Sequence, residues 1–458
     1  MQLPASLLSS LQGIPGFDKE AFEQAHRSGE PVTSVRVNPL KWSIEQLASY
    51  DPLAAAAPVP WSRLGYYLEE RPSFTFDPLF HAGCYYVQEA SSMFLEQAFL
   101  HTAGGKGPLK VLDLCAAPGG KSTHLQSLIP EEGLLVSNEV IKSRATVLKD
   151  NMIRWGSDNV VVTNNDPRDF ARLPGYFDVM VVDAPCSGSG LFRRDEEAVA
   201  EWSENNVILC SQRQQRILAD AWPALRTNGI LIYSTCSYSR EEDEAILDWI
   251  TTELEAEPVR LPLAGDWNII PVETRTHAWG YRFWPDRLRG EGFFMACFRK
   301  TAGADNFSAS MSRRLPPAGK KQGQAVSGWI REEGYSCAVH NNIVYAYRGS
   351  LADEISRLLP ALRILYSGVV VGELFNEQLV PAHSLAMSAL LKESIPALEL
   401  DRQEAIRYLQ KKELDRHNLD KGWHRTTYLG HNLGWVKVLS NRINNYYPKE
   451  LRILKDNP

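Results

Sequence analysis

From residue 109 onward, short unbroken apolar runs alternate with longer stretches whose apolar residues recur at helical spacing. The runs cover residues 109–114, 134–139, 159–163, 177–183 and 229–234. A short apolar run bounded by turn residues predicts a strand buried on both faces of a parallel sheet. The intervening stretches predict helices: one ending near residue 128, then 141–155, 207–225 and 241–254. A further helix is expected over 86–100 and a closing strand over 292–298. Strands alternating with helices of this length predict βαβ units, and so an α/β fold: a Rossmann-like, doubly wound, mostly parallel sheet.

The flanks carry other patterns. Residues 1–80 predict a small mixed domain, with helical spacing over 5–29 interrupted at Pro15-Gly16 and a strand over 32–39 closed by Asn38-Pro39. Aromatic residues crowd 61–80, with Arg63 and Arg71 among them. Such a mixture is either a small core with ordinary surface arginines or a surface that stacks on unpaired bases. The parallel-sheet domain then occupies 81–300. Residues 301–325 lack an apolar period and predict a linker. Globular patterning resumes over 326–458, with short strands at 343–347 and 434–439. Its end is locally basic, with Trp435, Tyr446 and Tyr447 interleaved, a modest sign of a nucleic-acid-binding module.

At 458 residues the chain is too long for one core, so several domains are expected. A net charge of −6 means that any polyanion must be met by local basic patches. The seven cysteines are scattered without a C-x-x-C pair, which argues against a disulfide framework and a structural zinc site. The start resembles no secretory leader, and no apolar run is long enough to cross a bilayer. A cytoplasmic protein is expected, with no membrane partner and no metal.

The candidate chemistry lies where the strands end, because ligands of open α/β sheets bind beyond the carboxyl ends of the strands. The first strand runs into Cys115-Ala116-Ala117-Pro118-Gly119-Gly120-Lys121-Ser122. Small residues there let a ligand approach the backbone, and the next helix offers free N–H groups. Cys115 stands where a phosphate-binding loop needs glycine, and no G-x-G-x-x-G occurs, so an ATPase or dehydrogenase is disfavoured. Acids close the next strands instead. Glu139 is placed to accept from ribose hydroxyls, Asp166 from an adenine amino group, and Asp183 ends the fourth strand. Singly, each reads equally well as a helix cap. As a series they fit a nucleoside without a phosphate chain, and S-adenosyl-L-methionine suits. The fourth and fifth strands both end at cysteines, Cys186 and Cys236, which should flank one pocket. The bland alternative is an adenosine- or RNA-binding scaffold whose cysteines are merely buried.

DLCAAPGGKST (113–123), DAPCSGSG (183–190) and YSTCSYSREEDE (233–244) together resemble the NOL–NOP–Sun family of RNA cytosine carbon-5 methyltransferases. SVRVNPLK, YYVQEASS and the tail from GWVKVLSNRINNYYPKELRIL are similar to the RsmF-like subgroup of bacterial 16S ribosomal-RNA enzymes. The resemblance implies a class I methyltransferase domain, a PUA-like C-terminal module, S-adenosyl-L-methionine as methyl donor and ribosomal RNA, within the small subunit or its assembly intermediate, as partner of a monomeric enzyme. It implies that residues 115–121, Glu139, Asp166 and Asp183 bind the cofactor.

The residues alone do not say which cysteine attacks. The resemblance assigns the nucleophile to Cys236 and product release to Cys186. A thiolate added to carbon 6 makes carbon 5 enamine-like and able to take a methyl group. Asp183 would hydrogen-bond the exocyclic amine or ring nitrogen, and Lys121 would orient Asp183 or the methionine carboxylate. Amino-group methylation expects an aromatic after Pro185, where Cys186 stands. His81, His124 and His277 have no partner spacing, and structural roles are expected for them.

Overall fold

The computed structural model describes residues 3–28, 32–50, 53–303, 316–331, 333–376 and 378–456. Its central sheet runs, edge to edge, through Ile270–Glu273, Trp279–Phe283, Phe293–Lys300, Leu225–Thr235, Phe177–Asp183, Lys110–Asp113, Leu134–Asn138, Val160–Thr163 and Ile364–Ser367. The five strands from Leu225–Thr235 to Val160–Thr163 are parallel. They are the five apolar runs, and the order is that of a doubly wound sheet. The chain order reverses beside Lys110–Asp113, so the crevice opens at the carboxyl ends of that strand and of Phe177–Asp183.

The continuous apolar runs are explained by burial on both sides. Leu112, Val136, Met180, Val182 and Leu231 enter one core, while Val111, Leu135, Val179, Val181 and Ile232 enter the other. Alternate residues of a strand face opposite ways. Each such side chain contributes on the order of 1.5–3 kcal/mol when fully buried.

The departures have local causes. The segment expected as a helix over 86–100 begins as the strand Tyr85–Val87, and the α-helix spans Leu95–Ala103 after a 3-10 turn at Ser91–Phe94. Two tyrosines and a valine pair against Val35, Arg36 and Val37 there, a tertiary gain that overrides the helical period. That pairing completes a four-stranded antiparallel sheet with Thr33–Val37 at its centre. The helix expected over 207–225 spans Glu204–Ala221, because Pro223 cannot continue it. The antiparallel strands between residues 256 and 283 and the edge strand Ile364–Ser367 went unread, being short and half-polar.

Two further four-stranded sheets follow, Tyr335–Pro381 and Ala397–Asn445 by their outermost strands. Of the segment expected as a linker, residues 304–315 lie outside the described residues, and Lys320–Ser327 is an α-helix. Burial also corrects the aromatic readings. Trp61, Phe76, Trp435 and Tyr447 are core residues, so they stack on neighbours rather than on bases. Tyr446 is exposed, packed edge-on against Trp423, which in turn carries Lys437 over its ring.

Candidate active site

Adjacent parallel strands bring the two cysteine loops together. Asp183 stands opposite Ser234 in the ladder, so the residues three beyond Asp183 and two beyond Ser234 leave the sheet side by side. The sulfurs of Cys186 and Cys236 lie 2.8 Å apart, unbonded and partly buried. The hydrogen bond to Cys236, reinforced by burial, pushes the Cys186 thiol well above its usual range. Cys186 therefore keeps its proton, and the two sulfurs lie within hydrogen-bond distance of each other.

Both loops hang on one buried carboxylate. Glu242 accepts from the Ser187 N–H at 2.8 Å, the Ser187 hydroxyl at 2.5 Å, the Ser237 hydroxyl at 2.6 Å and the Gln214 amide at 3.3 Å. Burial raises its carboxyl above the usual range, although these donors pull the other way. Glycine is required beside them. A Cβ at Gly190 would lie 2.4 Å from the Gly292 carbonyl and 2.7 Å from that of Cys236. The next acid, Asp243, accepts from Thr235 at 2.6 Å and lies 3.1 Å from the buried Arg282, which also grips Glu244 with two nitrogens. The strand end before Cys236 is thus fixed from behind.

Asp183 lies on the crevice wall. Its Oδ2 is 2.7 Å from the Lys121 ammonium and its Oδ1 accepts from Ser234 at 2.8 Å. Each oxygen retains a second lone-pair direction, and about a third of the side chain is exposed to the crevice. Burial would lower the Lys121 ammonium, but Asp183 outweighs it and the pKa is raised, so Lys121 stays charged. Its Nζ also sits 5.0 Å from the Phe293 ring centre. The lysine thus orients Asp183.

The loop from Cys115 to Gly120 curls over the end of the first strand. Gly119 adopts φ 116°, a conformation that favours glycine. Arg144 and Asn151 hold the Ala117 and Pro118 carbonyls from outside, and the Ala116 N–H bonds to Asn138. Burial pushes the Cys115 thiol well above its usual range, and the side chain packs partly buried against the core. Glu139 is buried, with Oε1 on the Ile141 N–H at 2.9 Å and Arg144 3.6 Å from Oε2. Asp166 serves partly as the alternative reading had it: Oδ1 caps the 3-10 turn Pro167–Arg172 through the Arg168 N–H.

Sequence reasoning missed three residues here. Asp113 ends the first strand, wholly buried, with Oδ2 on the Ser122 hydroxyl and Oδ1 without a hydrogen-bond partner. Burial, with the charge of Asp183 added, raises its carboxyl to about 7. Glu242 was one acid in a run of four, and nothing in the run singled it out. Arg36, from the N-terminal sheet, buries its guanidinium against the helix after the loop, donating to Thr123 Oγ1 at 2.6 Å and the Gly120 carbonyl at 3.3 Å. The histidines take structural places: His124 lies buried beside Glu96, His81 bonds to Thr75, and His277 is exposed beside Glu273. Among the described residues, no three His, Cys, Asp or Glu side chains gather as a metal site.

Family models match three stretches of the chain. Residues 106–299 match the family model for 16S rRNA methyltransferase RsmB/F, residues 3–90 that for the N-terminal domain of 16S rRNA methyltransferase RsmF, and residues 395–453 that for the methyltransferase RsmF PUA domain. Ribosomal RNA small subunit methyltransferase F of Psychromonas ingrahamii is 32% identical over 446 residues, covering 93% of this chain and 91% of the relative. The protein of the same name from Citrobacter koseri is 31% identical, covering 91% and 90%. Among solved structures, a methyltransferase homolog from Pyrococcus horikoshii is 28% identical at a TM-score of 0.52, covering 65% of this chain and all of that one. NSun6 from the same organism, at 20% identity and a TM-score of 0.53, shares the fold over 65% of this chain. On identity, coverage and three matching domain models, the chain belongs to the RsmF family of 16S ribosomal RNA methyltransferases.

Proposed function

We propose that this methyltransferase modifies carbon 5 of a cytosine in 16S ribosomal RNA through a covalent bond between Cys236 and carbon 6. The observation that carries the proposal is the meeting of the Cys186 and Cys236 sulfurs, 2.8 Å apart, beside Asp183 in one crevice. One thiol suffices for addition. A second thiol in contact with it suits the reverse step, in which a proton must leave carbon 5 and the bond to carbon 6 must break.

The residues divide the work. Asp183, fixed by Lys121 and Ser234, accepts from the exocyclic amine and favours the charge that develops on the ring as sulfur adds. Cys236 supplies the nucleophile. In the release step water takes the proton from carbon 5, the carbon 6–sulfur bond breaks with its electron pair going to Cys236, and Cys186, held protonated beside it, returns a proton to that sulfur. Glu242 keeps both loops in register. The target base must be unstacked to reach them, which favours an unpaired nucleotide.

The methyl donor that fits is S-adenosyl-L-methionine, which when bound supplies an electrophilic methyl group on a sulfonium. The fit rests on the buried, unpartnered Oδ1 of Asp113 beside a loop of small residues, and on Glu139 closing the neighbouring strand. Residues 115–121, Glu139, Asp166 and Asp183 would hold it. The substrate is RNA in the small subunit or its assembly intermediate, met by the N-terminal module (1–80, its sheet completed by the strand Tyr85–Val87) and the C-terminal module (within 326–458) around the methyltransferase domain (81–300). Bisulfite mapping of 16S RNA from cells with and without the gene tests the reading. One cytosine or more losing protection in the deletion strain is expected, and unchanged protection everywhere overturns it.

A further inference from the structure

Beyond the cysteine loops a groove of about 900 Å³ separates the N-terminal module from the methyltransferase domain. Its walls include Ser28, Glu69 and Arg71 on one side and Arg193, Asp286 and Arg289 on the other. That volume is at the upper end of ligand-pocket sizes.

The groove wall is joined to the cysteine loops through the backbone. Gly190 donates to the Cys236 carbonyl at 2.8 Å, and Arg193, three residues on and in the groove wall, donates to the Gly290 carbonyl at 3.1 Å. Gly292, two residues beyond, touches Gly190. The groove wall at Arg193 is thus built into the same frame as the Cys236 loop.

Its charges are arranged for phosphate. Arg71 and Arg289 have no carboxylate within ion-pair distance among the described residues, unlike Arg63, Arg193, Arg282 and Arg348. Each guanidinium lies over an aromatic ring, Arg289 at 4.6 Å from the Tyr67 centre and Arg71 at 5.4 Å from that of Phe74. Arg289 is tethered once more, through the Leu68 carbonyl at 3.0 Å. A guanidinium held flat on a ring has lost freedom already and keeps donors at its edge, the form that suits phosphate oxygens. Glu69 and Asp286 add acceptors, which a ribose 2′-hydroxyl can use and a deoxyribose cannot. Beneath them Glu291, almost wholly buried, has no hydrogen-bond partner at either oxygen, with Arg193 3.5 Å away.

We propose that this groove carries the single-stranded RNA next to the target cytosine, with its phosphates on Arg71 and Arg289. The proposal rests on RNA being the substrate, and its test separates the two. Methyl transfer from tritiated S-adenosyl-L-methionine to 16S RNA transcribed in vitro, and to small subunits from a deletion strain, is measured for wild type, Arg71→Glu, Arg289→Glu and the double variant. Arg275→Glu, in the turn that joins Ile270–Glu273 to Trp279–Phe283 at the far end of that hairpin from the groove, is the control. The double variant is expected to raise the KM for RNA at least about tenfold, with kcat and cofactor affinity little changed. Its KM should also depend less steeply on salt, by about one to two units of log–log slope for two lost phosphate contacts. A KM and salt slope equal to wild type overturn the proposal. So does an effect confined to assembled subunits, which would make the groove a protein-binding surface. If a variant misfolds, photo-cross-linking of 4-thiouridine beside the target cytosine to the wild-type enzyme decides: adducts within 63–73 or 285–290 are expected, and their absence overturns the groove. A wild type that transfers no methyl to either RNA instead overturns the assignment of substrate.

Discussion

Glu242 is bonded to Ser187 twice, through the backbone N–H at 2.8 Å and the hydroxyl at 2.5 Å. Through Ser237 the same carboxylate reaches the other cysteine loop, so one buried acid sets the separation of two sulfurs that come from different strands. Four donors converge on it, and a side chain without acceptors would leave them unsatisfied in a buried place. Glu242→Ala should therefore cost about 2–4 kcal/mol in unfolding free energy and abolish measurable methyl transfer. Glu242→Gln keeps one acceptor for the two N–H groups and turns its amide toward hydroxyls that can accept. It should melt close to wild type yet turn over more slowly. Equal melting and equal turnover for both variants would show that the loops do not depend on Glu242.

The cysteine pair predicts two different failures. Cys236→Ala should bind S-adenosyl-L-methionine with unchanged affinity and transfer no methyl group, because the nucleophile is gone. Cys186→Ala should still attack and then stall, leaving a protein–RNA adduct that survives a denaturing gel. Wild-type rates from Cys236→Ala, or normal turnover without adduct from Cys186→Ala, would reassign the roles.

What the chain order made legible was the framework of this site. Five apolar runs gave the five parallel strands, and strand adjacency alone put Cys186 beside Cys236. Single residues with two equally sound readings were less legible. Asp166 could be a ligand group or a cap, and one of its oxygens does cap a turn. Trp61 and Trp435 could stack on bases or pack a core, and both lie in the core, because composition records an aromatic but not which way it faces. Contacts between distant elements left no local trace. The period of residues 86–100 is helical, yet 85–87 pairs with a strand some fifty residues earlier. Nothing near Arg36 announces that its guanidinium ends on the helix behind the Cys115 loop.

That arginine carries a prediction of its own. Arg36 is fully buried, has no carboxylate in ion-pair contact among the described residues, lies 4.6 Å from the Trp155 ring centre and donates to Gln88, Gly120 and Thr123. Burial lowers its pKa to about 9, so it remains charged at neutrality. Lysine has no fork to reach these acceptors together. Arg36→Lys should lower stability by about 2–3 kcal/mol and loosen the start of the Gly120–Leu128 helix. Cofactor dissociation constants should rise while kcat at saturation is nearly kept. A rise in the KM for RNA alone, with cofactor affinity intact, would place Arg36 with the substrate instead.

Asp113 gives a pH dependence with a definite sign. Its folded pKa, raised to about 7 mainly by burial, stands above the ordinary carboxyl value of 3.8. Between these two values the folded protein holds a proton that the unfolded chain has released, so stability falls as pH rises across that window and levels off above it. Asparagine cannot ionise, and its side-chain oxygen can still accept from Ser122. The stability of Asp113→Asn relative to wild type should therefore improve from pH 5 to pH 8, by an amount on the order of a few kcal/mol. Chemical denaturation of both proteins at the two pH values measures it. A constant difference would mean that Asp113 ionises in the folded protein as it does in water. Affinity for S-adenosyl-L-methionine, measured in parallel, should fall in the variant if the unpartnered Oδ1 takes a donor from the ligand.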